Sequence, residues 1–231
     1  NRMLRRFASQ VLCAYPNPFP DSGAGTEVGN PVRQELLDRG LKSRYDYQGD
    51  RPLRLLIVGG SLGARAINEV VPQALALLPP SFAVKVRHQT GARNMEAVKL
   101  AYGELPDLSA EVLPFIEDMA SVYDWADLVL CRAGALTVSE LTIMSRPSVL
   151  VPLPHSIDDH QLHNAEWLSQ RGGAYLMPQP TLTPEALAEQ LKAFMSNPAR
   201  LSAMAHAAGS AAQPAATQAV ADLCEMTRHG R

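Results

Sequence analysis

The stretch LRLLIVGGSLGARAINEVVPQALALL, residues 53–78, decides the fold. Leu53–Val58 is almost continuously apolar, the pattern of a strand buried on both faces of its sheet. Gly59, Gly60 and Gly63 then turn the chain, and residues 64–78 carry apolar side chains at helical spacing. A strand, a glycine turn and a helix in that order open a doubly wound α/β domain. The turn is neither GxGxxG nor a P-loop, because no GK[ST] follows. Its glycines let an anion approach the backbone. The N–H groups and dipole of a helix start favour an anion there, and Ser61 adds a hydroxyl donor.

Outward from this unit the alternation repeats. Strand-like runs lie at residues 82–86, 111–115, 128–131, 148–153 and 174–177, with amphipathic stretches at 93–101, 118–125, 136–144 and 159–170 between them. This predicts a parallel sheet with right-handed crossovers. From Pro184 the chain reads as helix only, over 185–195, 199–208 and 215–228, with Thr183 as the cap and Pro184 at the first helical position.

Three more stretches at strand ends carry polar chemistry. CRAGALTVSE (131–140) ends a strand, turns at Gly134 and opens a helix near Ala135, which repeats the anion-binding logic. Glu140 lies about one and a half turns into that helix, where its carboxylate can accept two hydrogen bonds from a ribose diol. PLPHSIDDHQLHN (152–164) holds Asp158, Asp159, His160 and His163. No third ligand at a clear spacing completes a metal site, and Asp159 reads as a helix cap. Gln161 and Asn164 share one helical face, and their carboxamides both donate and accept, which suits sugar hydroxyls. In FIEDM (115–119) the backbone of Ile116 can pair with a uracil edge, or the strand simply ends before an ordinary cap. All four motifs sit at carboxyl ends of parallel strands, where open α/β sheets bind ligands.

Composition sets the outer bounds. The chain has 231 residues, a net charge of -2, 46% hydrophobic and 19% charged residues. That fits a globular protein with a sizeable core, and no basic tract points to nucleic acid. Its 3 cysteines lie far apart without a CxxC pair, so a reducing cytoplasm is the simplest home. No apolar run approaches the roughly 20 residues of a membrane span. RMLRRF (2–7) is basic and partly apolar, and a solvated helix end accounts for it better than membrane contact. The opening residues read as a helix tail and then a strand whose partners are missing. PNPFPDSGAG (16–25) reads as a linker.

Five segments in order, GNPVR (29–33), GGSLGA (59–64), FIEDM, CRAGALTVSE and DDHQLHNA (158–165), resemble the MurG family. These N-acetylglucosaminyltransferases convert lipid I to lipid II in peptidoglycan synthesis. The resemblance implies a GT-B architecture, chiefly its C-terminal Rossmann-like donor-binding domain. Residues 1–27 would end the acceptor domain and form the linker. Residues 28–212 would bind the UDP-sugar, and 213–231 would form a helix returning toward the first domain.

Carried over by motif, the Ile116 backbone would meet uracil and Glu140 the ribose. Ser61, Arg33 and the turn of Ala135, Leu136 and Thr137 would hold the diphosphate. Gln161 and Asn164 would face the sugar, and Arg132 would stabilise the leaving group. No metal or cofactor is implied. The implied partners are UDP-N-acetylglucosamine, lipid I through an N-terminal domain, and the cytoplasmic face of the bacterial inner membrane as a peripheral contact.

The family's GGTGGH loop is absent here, and with it the histidine that the resemblance would make the general base. The chain is therefore expected to bind donor and to turn over poorly alone. The alternative is a stand-alone UDP-sugar-binding module that works with a separate acceptor subunit. A UDP-sugar epimerase, or a dinucleotide oxidoreductase without its GxGxxG, fits less well.

Overall fold

The computed structural model describes residues 7–8, 10–15, 25–60, 63–154, 156 and 159–229. Two short strands, β1 (Leu12–Cys13) and β2 (Thr26–Glu27), precede helix α1 (Gln34–Gly40). The alternating part then runs β3 (Leu53–Val58), α2 (Arg65–Ala76), β4 (Val84–Gln89), α3 (Met95–Gly103), β5 (Ser109–Leu113), α4 (Met119–Trp125), β6 (Leu128–Cys131), α5 (Ala135–Ile143), β7 (Ser148–Leu150), α6 (His160–Gln170) and β8 (Ala174–Leu176). Helices α7 (Pro184–Met195), α8 (Pro198–Ser210) and α9 (Ala216–His229) follow.

The six strands from β3 onward form one sheet in the order β5-β4-β3-β6-β7-β8, and every pairing is parallel. The chain enters at β3, moves outward to β5, and returns to β6 on the other side of β3. That reversal leaves a crevice beyond the carboxyl ends of β3 and β6. Side-chain alternation explains why these strands are apolar throughout. Leu53, Leu55, Ile57, Leu128 and Leu130 join a core with Ile67 of α2 and Leu187 of α7. Leu56, Val129, Cys131 and Leu150 join the opposite core with Tyr123 of α4, Val138 of α5 and Leu168 of α6.

The doubly wound parallel architecture matches expectation, and several boundaries move. The strand read at 82–86 lies at Val84–Gln89, because polar His88 takes an inward position and satisfies both ring nitrogens there. The strand read at 148–153 closes at Leu150. The opening strand does have a partner: Leu12 pairs with Thr26 and Cys13 with Glu27. Helix α1 went unread because it is short and buries only Leu36. Asp159 stands at the start of α6 with φ 49 and makes no side-chain cap bond. From the left-handed region its carboxylate does not reach the first-turn N–H groups as an extended cap residue does.

Thr183 does cap α7, since its hydroxyl accepts from Ala186 N at 3.2 Å. Thr183→Ala should lower stability by about 1 kcal/mol, read as a small fall in the denaturant midpoint with unchanged slope. No helix among the described residues is long and apolar enough to cross a membrane.

Candidate functional site

An open cleft of about 480 Å³ lies over the β3–β6 crevice, lined by Gly59, Gly63, Ala64, Arg65, Glu69, Arg132, Gln161 and Gln179 among others. Its floor is the turn after β3. Gly59 N donates to the Gln89 carbonyl at 3.1 Å, and Gly63 N donates to the Gly60 carbonyl at 3.0 Å. Gly60 and Gly63 both take positive φ, 78 and 77, which glycine alone adopts without strain. Ala64 then starts α2 with no side-chain cap. The first-turn N–H groups are left to face the cleft, the arrangement that attracts an anion. Ser61 lies outside the described residues.

Arg132, just past β6, brings a cation to the same cleft. Its guanidinium donates to the carbonyls of Val151 and Pro152 at 3.1 and 3.2 Å and to Gln179 Oε1 at 2.6 Å. No carboxylate pairs with it among the described residues, and burial lowers its pKa. It is thus oriented by neutral acceptors, with its charge not offset by a carboxylate among the described residues. Gly134 starts α5 with no side-chain cap, so the backbone of Ala135, Leu136 and Thr137 offers a second open helix start.

Glu140 departs from a solvent-facing picture. It is only 6% exposed. Its Oε2 accepts from the Tyr123 hydroxyl at 3.1 Å, and its Oε1 lies 3.8 Å from Arg33 Nη2. Burial raises its pKa, against the opposing pull of Tyr123 and Arg33. The structure therefore places Arg33 over Glu140, with the Arg33 side chain 53% exposed. Ile116 is buried as a side chain, and its backbone makes no hydrogen bond among the described residues.

The two carboxamides of α6 differ in role. Gln161 Oε1 accepts from Leu153 N at 3.0 Å, which leaves its NH2 group toward the cleft. Asn164 is buried, and its Nδ2 donates to the Ala133 carbonyl at 3.0 Å, pinning the turn between β6 and α5. Of Asp158, Asp159, His160 and His163, Asp158 lies outside the described residues, and His163 sits 3.5 Å from Glu166.

Sequence reasoning missed three contributors. Gln179 follows β8 in a short 3-10 turn, and a lone Gln there gives no signal. Tyr123 reads as a core aromatic until Glu140 is found beside it. Tyr15 donates its hydroxyl to the Ala135 carbonyl at 2.7 Å, lies 2.9 Å from Ser139 Oγ, and packs on Trp167 with ring centroids 4.5 Å apart. It thereby ties the segment before α1 to the first turn of α5.

Residues 54–222 match the glycosyltransferase family 28 C-terminal domain. The whole chain aligns at 47% identity with a Marinobacter nauticus protein named UDP-N-acetylglucosamine--N-acetylmuramyl-(pentapeptide) pyrophosphoryl-undecaprenol N-acetylglucosamine transferase, covering 63% of that protein. A Pseudomonas putida protein of the same name aligns at 46%, again over 63% of its length. Among solved structures, MurG of Acinetobacter baumannii superposes with a TM-score of 0.79 at 43% identity, over 98% of this chain and 62% of that one. The chain thus spans somewhat under two thirds of the length of these relatives. Its sheet order, its glycine turns and the match over residues 54–222 agree, and the chain belongs to the glycosyltransferase family 28 C-terminal domain family, on a GT-B-type Rossmann half like that of MurG.

Proposed function

We propose that this chain is the UDP-N-acetylglucosamine-binding part of an inverting transferase that moves N-acetylglucosamine onto lipid I to form lipid II. The observation that carries the reading is the cleft at the β3–β6 crevice, where an uncapped helix start meets an arginine without a carboxylate partner among the described residues. In the reaction a sugar hydroxyl attacks the anomeric carbon, the bond to the diphosphate breaks, and UDP leaves with the electron pair. Negative charge grows on the diphosphate. The α2 and α5 N-termini and Arg132 stabilise it as preorganised dipoles and charge.

The remaining residues fall in line with this reading. The free backbone of Ile116 reads the uracil edge. Glu140 takes the ribose diol and Gln161 faces the sugar, while Asn164, expected from its motif beside Gln161, serves the site by pinning the Ala133 carbonyl of the adjoining turn. Arg33 holds Glu140 only at long range, so an arriving diphosphate draws Arg33 away and uncovers the carboxylate. Ser61 and the turn of Ala135, Leu136 and Thr137 complete the diphosphate contacts. Residues 28–212 form the donor domain in this scheme. The acceptor site, the general base and the peripheral contact with the cytoplasmic membrane face belong to the remaining length of such transferases.

Calorimetric titration with UDP-N-acetylglucosamine, in parallel with NADH, tests the reading. Saturable binding of the UDP-sugar and none of NADH is the expected result. A folded chain that binds NADH and not UDP-N-acetylglucosamine would sink it. Lipid II formation is expected only when an acceptor half is added, and its appearance with this chain alone would overturn the assignment of the base.

A further inference from the structure

Behind the glycine turn lies a polar network that the sheet and its helices enclose. His88 of β4 is 0% exposed. Its Nδ1 lies 3.0 Å from the Tyr102 hydroxyl of α3, and its Nε2 lies 3.0 Å from Asn68 Oδ1 of α2. Asn68 Nδ2 donates to the Thr90 carbonyl at 3.0 Å, and Asn94 Nδ2 donates to the same oxygen at 3.1 Å. These partners fix the tautomer. Asn68 spends its NH2 on Thr90, so its Oδ1 must accept from Nε2–H, and Nδ1 must accept from Tyr102. Burial pushes the imidazole pKa down to about 3, so the ring stays neutral and this order of donors persists.

The network ends against the cleft. The Thr90 oxygen is the atom that a side chain on Gly63 would overlap first, and Asn94 Nδ2 is the next. Asn68 also sits one turn into α2, where its N–H donates to the Ala64 carbonyl at 2.9 Å. Ala64 is the residue from which the cleft-facing N–H groups begin. Apolar side chains would fill the same space without the desolvation cost of burying four polar groups. What the polar network adds is direction: it fixes one carbonyl oxygen in one place.

We propose that Tyr102, His88, Asn68 and Asn94 are positioning residues for the anion-binding turn, holding the Thr90 carbonyl as the stop against which Gly63 and the first turn of α2 are set. None of them touches ligand; each acts through Thr90 and Gly63. The proposal rests on the UDP-sugar reading above for its effect on binding, and on the unliganded chain for its geometry.

The test uses His88→Leu, His88→Gln and Asn94→Ala, with UDP and uridine as probes and amide hydrogen exchange on the unliganded chain. His88→Leu should weaken UDP roughly tenfold and Asn94→Ala roughly threefold, because each leaves or removes a hydrogen-bond partner at Thr90 or Asn68. Uridine affinity, which lacks the phosphate contribution, should not change. His88→Gln returns an N–H donor to Asn68 and should recover most of the loss. Exchange at residues 63–66 should accelerate in the same order, with residues 135–137 unaffected.

Equal weakening of UDP and uridine, with faster exchange throughout the sheet, would mark a purely structural role and overturn the proposal. So would unchanged exchange at residues 63–66 in Asn94→Ala, a half-buried position that decides the matter even where His88→Leu does not fold. Should the wild-type chain bind no UDP, the donor reading falls by itself, and the exchange pattern still settles the positioning claim.

Discussion

Gly63→Ala is expected to weaken UDP-N-acetylglucosamine binding by at least about 100-fold. Gly63 has φ +77, and a Cβ there would overlap the Thr90 carbonyl oxygen. The backbone conformation alone costs an L residue about 1–3 kcal/mol. The overlap is worse, because the opposing atom is backbone and is itself held by Asn68 and Asn94. No rotamer change relieves it. The turn must lift, and the α2 N-terminus lifts with it. Displacing aligned donors by about 1 Å is enough for a loss of this size. Gly60→Ala is the internal control: Gly60 has φ +78 but no atom of the described residues within 4 Å of its would-be Cβ. It carries the strain without the clash and should weaken binding by about tenfold or less. Calorimetry on both variants, with circular dichroism to confirm folding, checks the pair. Wild-type affinity in a folded Gly63→Ala chain would mean that the diphosphate sits elsewhere.

The ease with which the glycine turns were read has a physical source. A parallel strand buried on both faces must be apolar, must end abruptly, and must turn into its helix within a few residues. Leu53–Val58 followed by Gly59-Gly60, and Leu128–Cys131 followed by Gly134, show this in local sequence. The carboxyl rim was legible for the same reason, since the motifs lie at strand ends whatever the details of packing. What escaped was everything that depends on distant partners. His88 pairs with residues 14 and 20 positions away, and Tyr15 reaches a carbonyl 120 residues along the chain. No periodicity encodes either contact. Glu140 is the instructive middle case. Its place on a helix was read correctly, yet α5 is enclosed from Val138 to Ile143. A charged residue that composition would put on the surface is therefore buried.

That burial makes Glu140→Gln the second strong test, because function and stability should move in opposite directions. Gln keeps the shape and can still accept from the Tyr123 hydroxyl, so the local packing survives. It loses the negative charge that strengthens bonds to a ribose diol, and UDP-N-acetylglucosamine affinity should fall roughly tenfold to a hundredfold. Stability should rise at neutral pH. The ordinary value for this carboxyl is 4.5, and burial raises it in the folded chain. The folded state thus holds the proton more tightly than the unfolded chain does. The stabilisation from that preference is fully present below about pH 4.5 and is lost as pH climbs through the raised folded value. Once the wild-type carboxyl deprotonates, a charge is left buried in the fold, and the Gln variant has no such charge to bury. The melting temperature of Glu140→Gln should therefore exceed that of wild type at pH 7.5. The difference should shrink as the pH falls and the raised folded value favours the protonated carboxyl. Such a trade of stability for binding is the mark of a site residue kept for its ligand. A variant that melts lower at pH 7.5 and binds donor as well as wild type would instead make Glu140 a structural anchor for Arg33 and move the ribose contact to another residue.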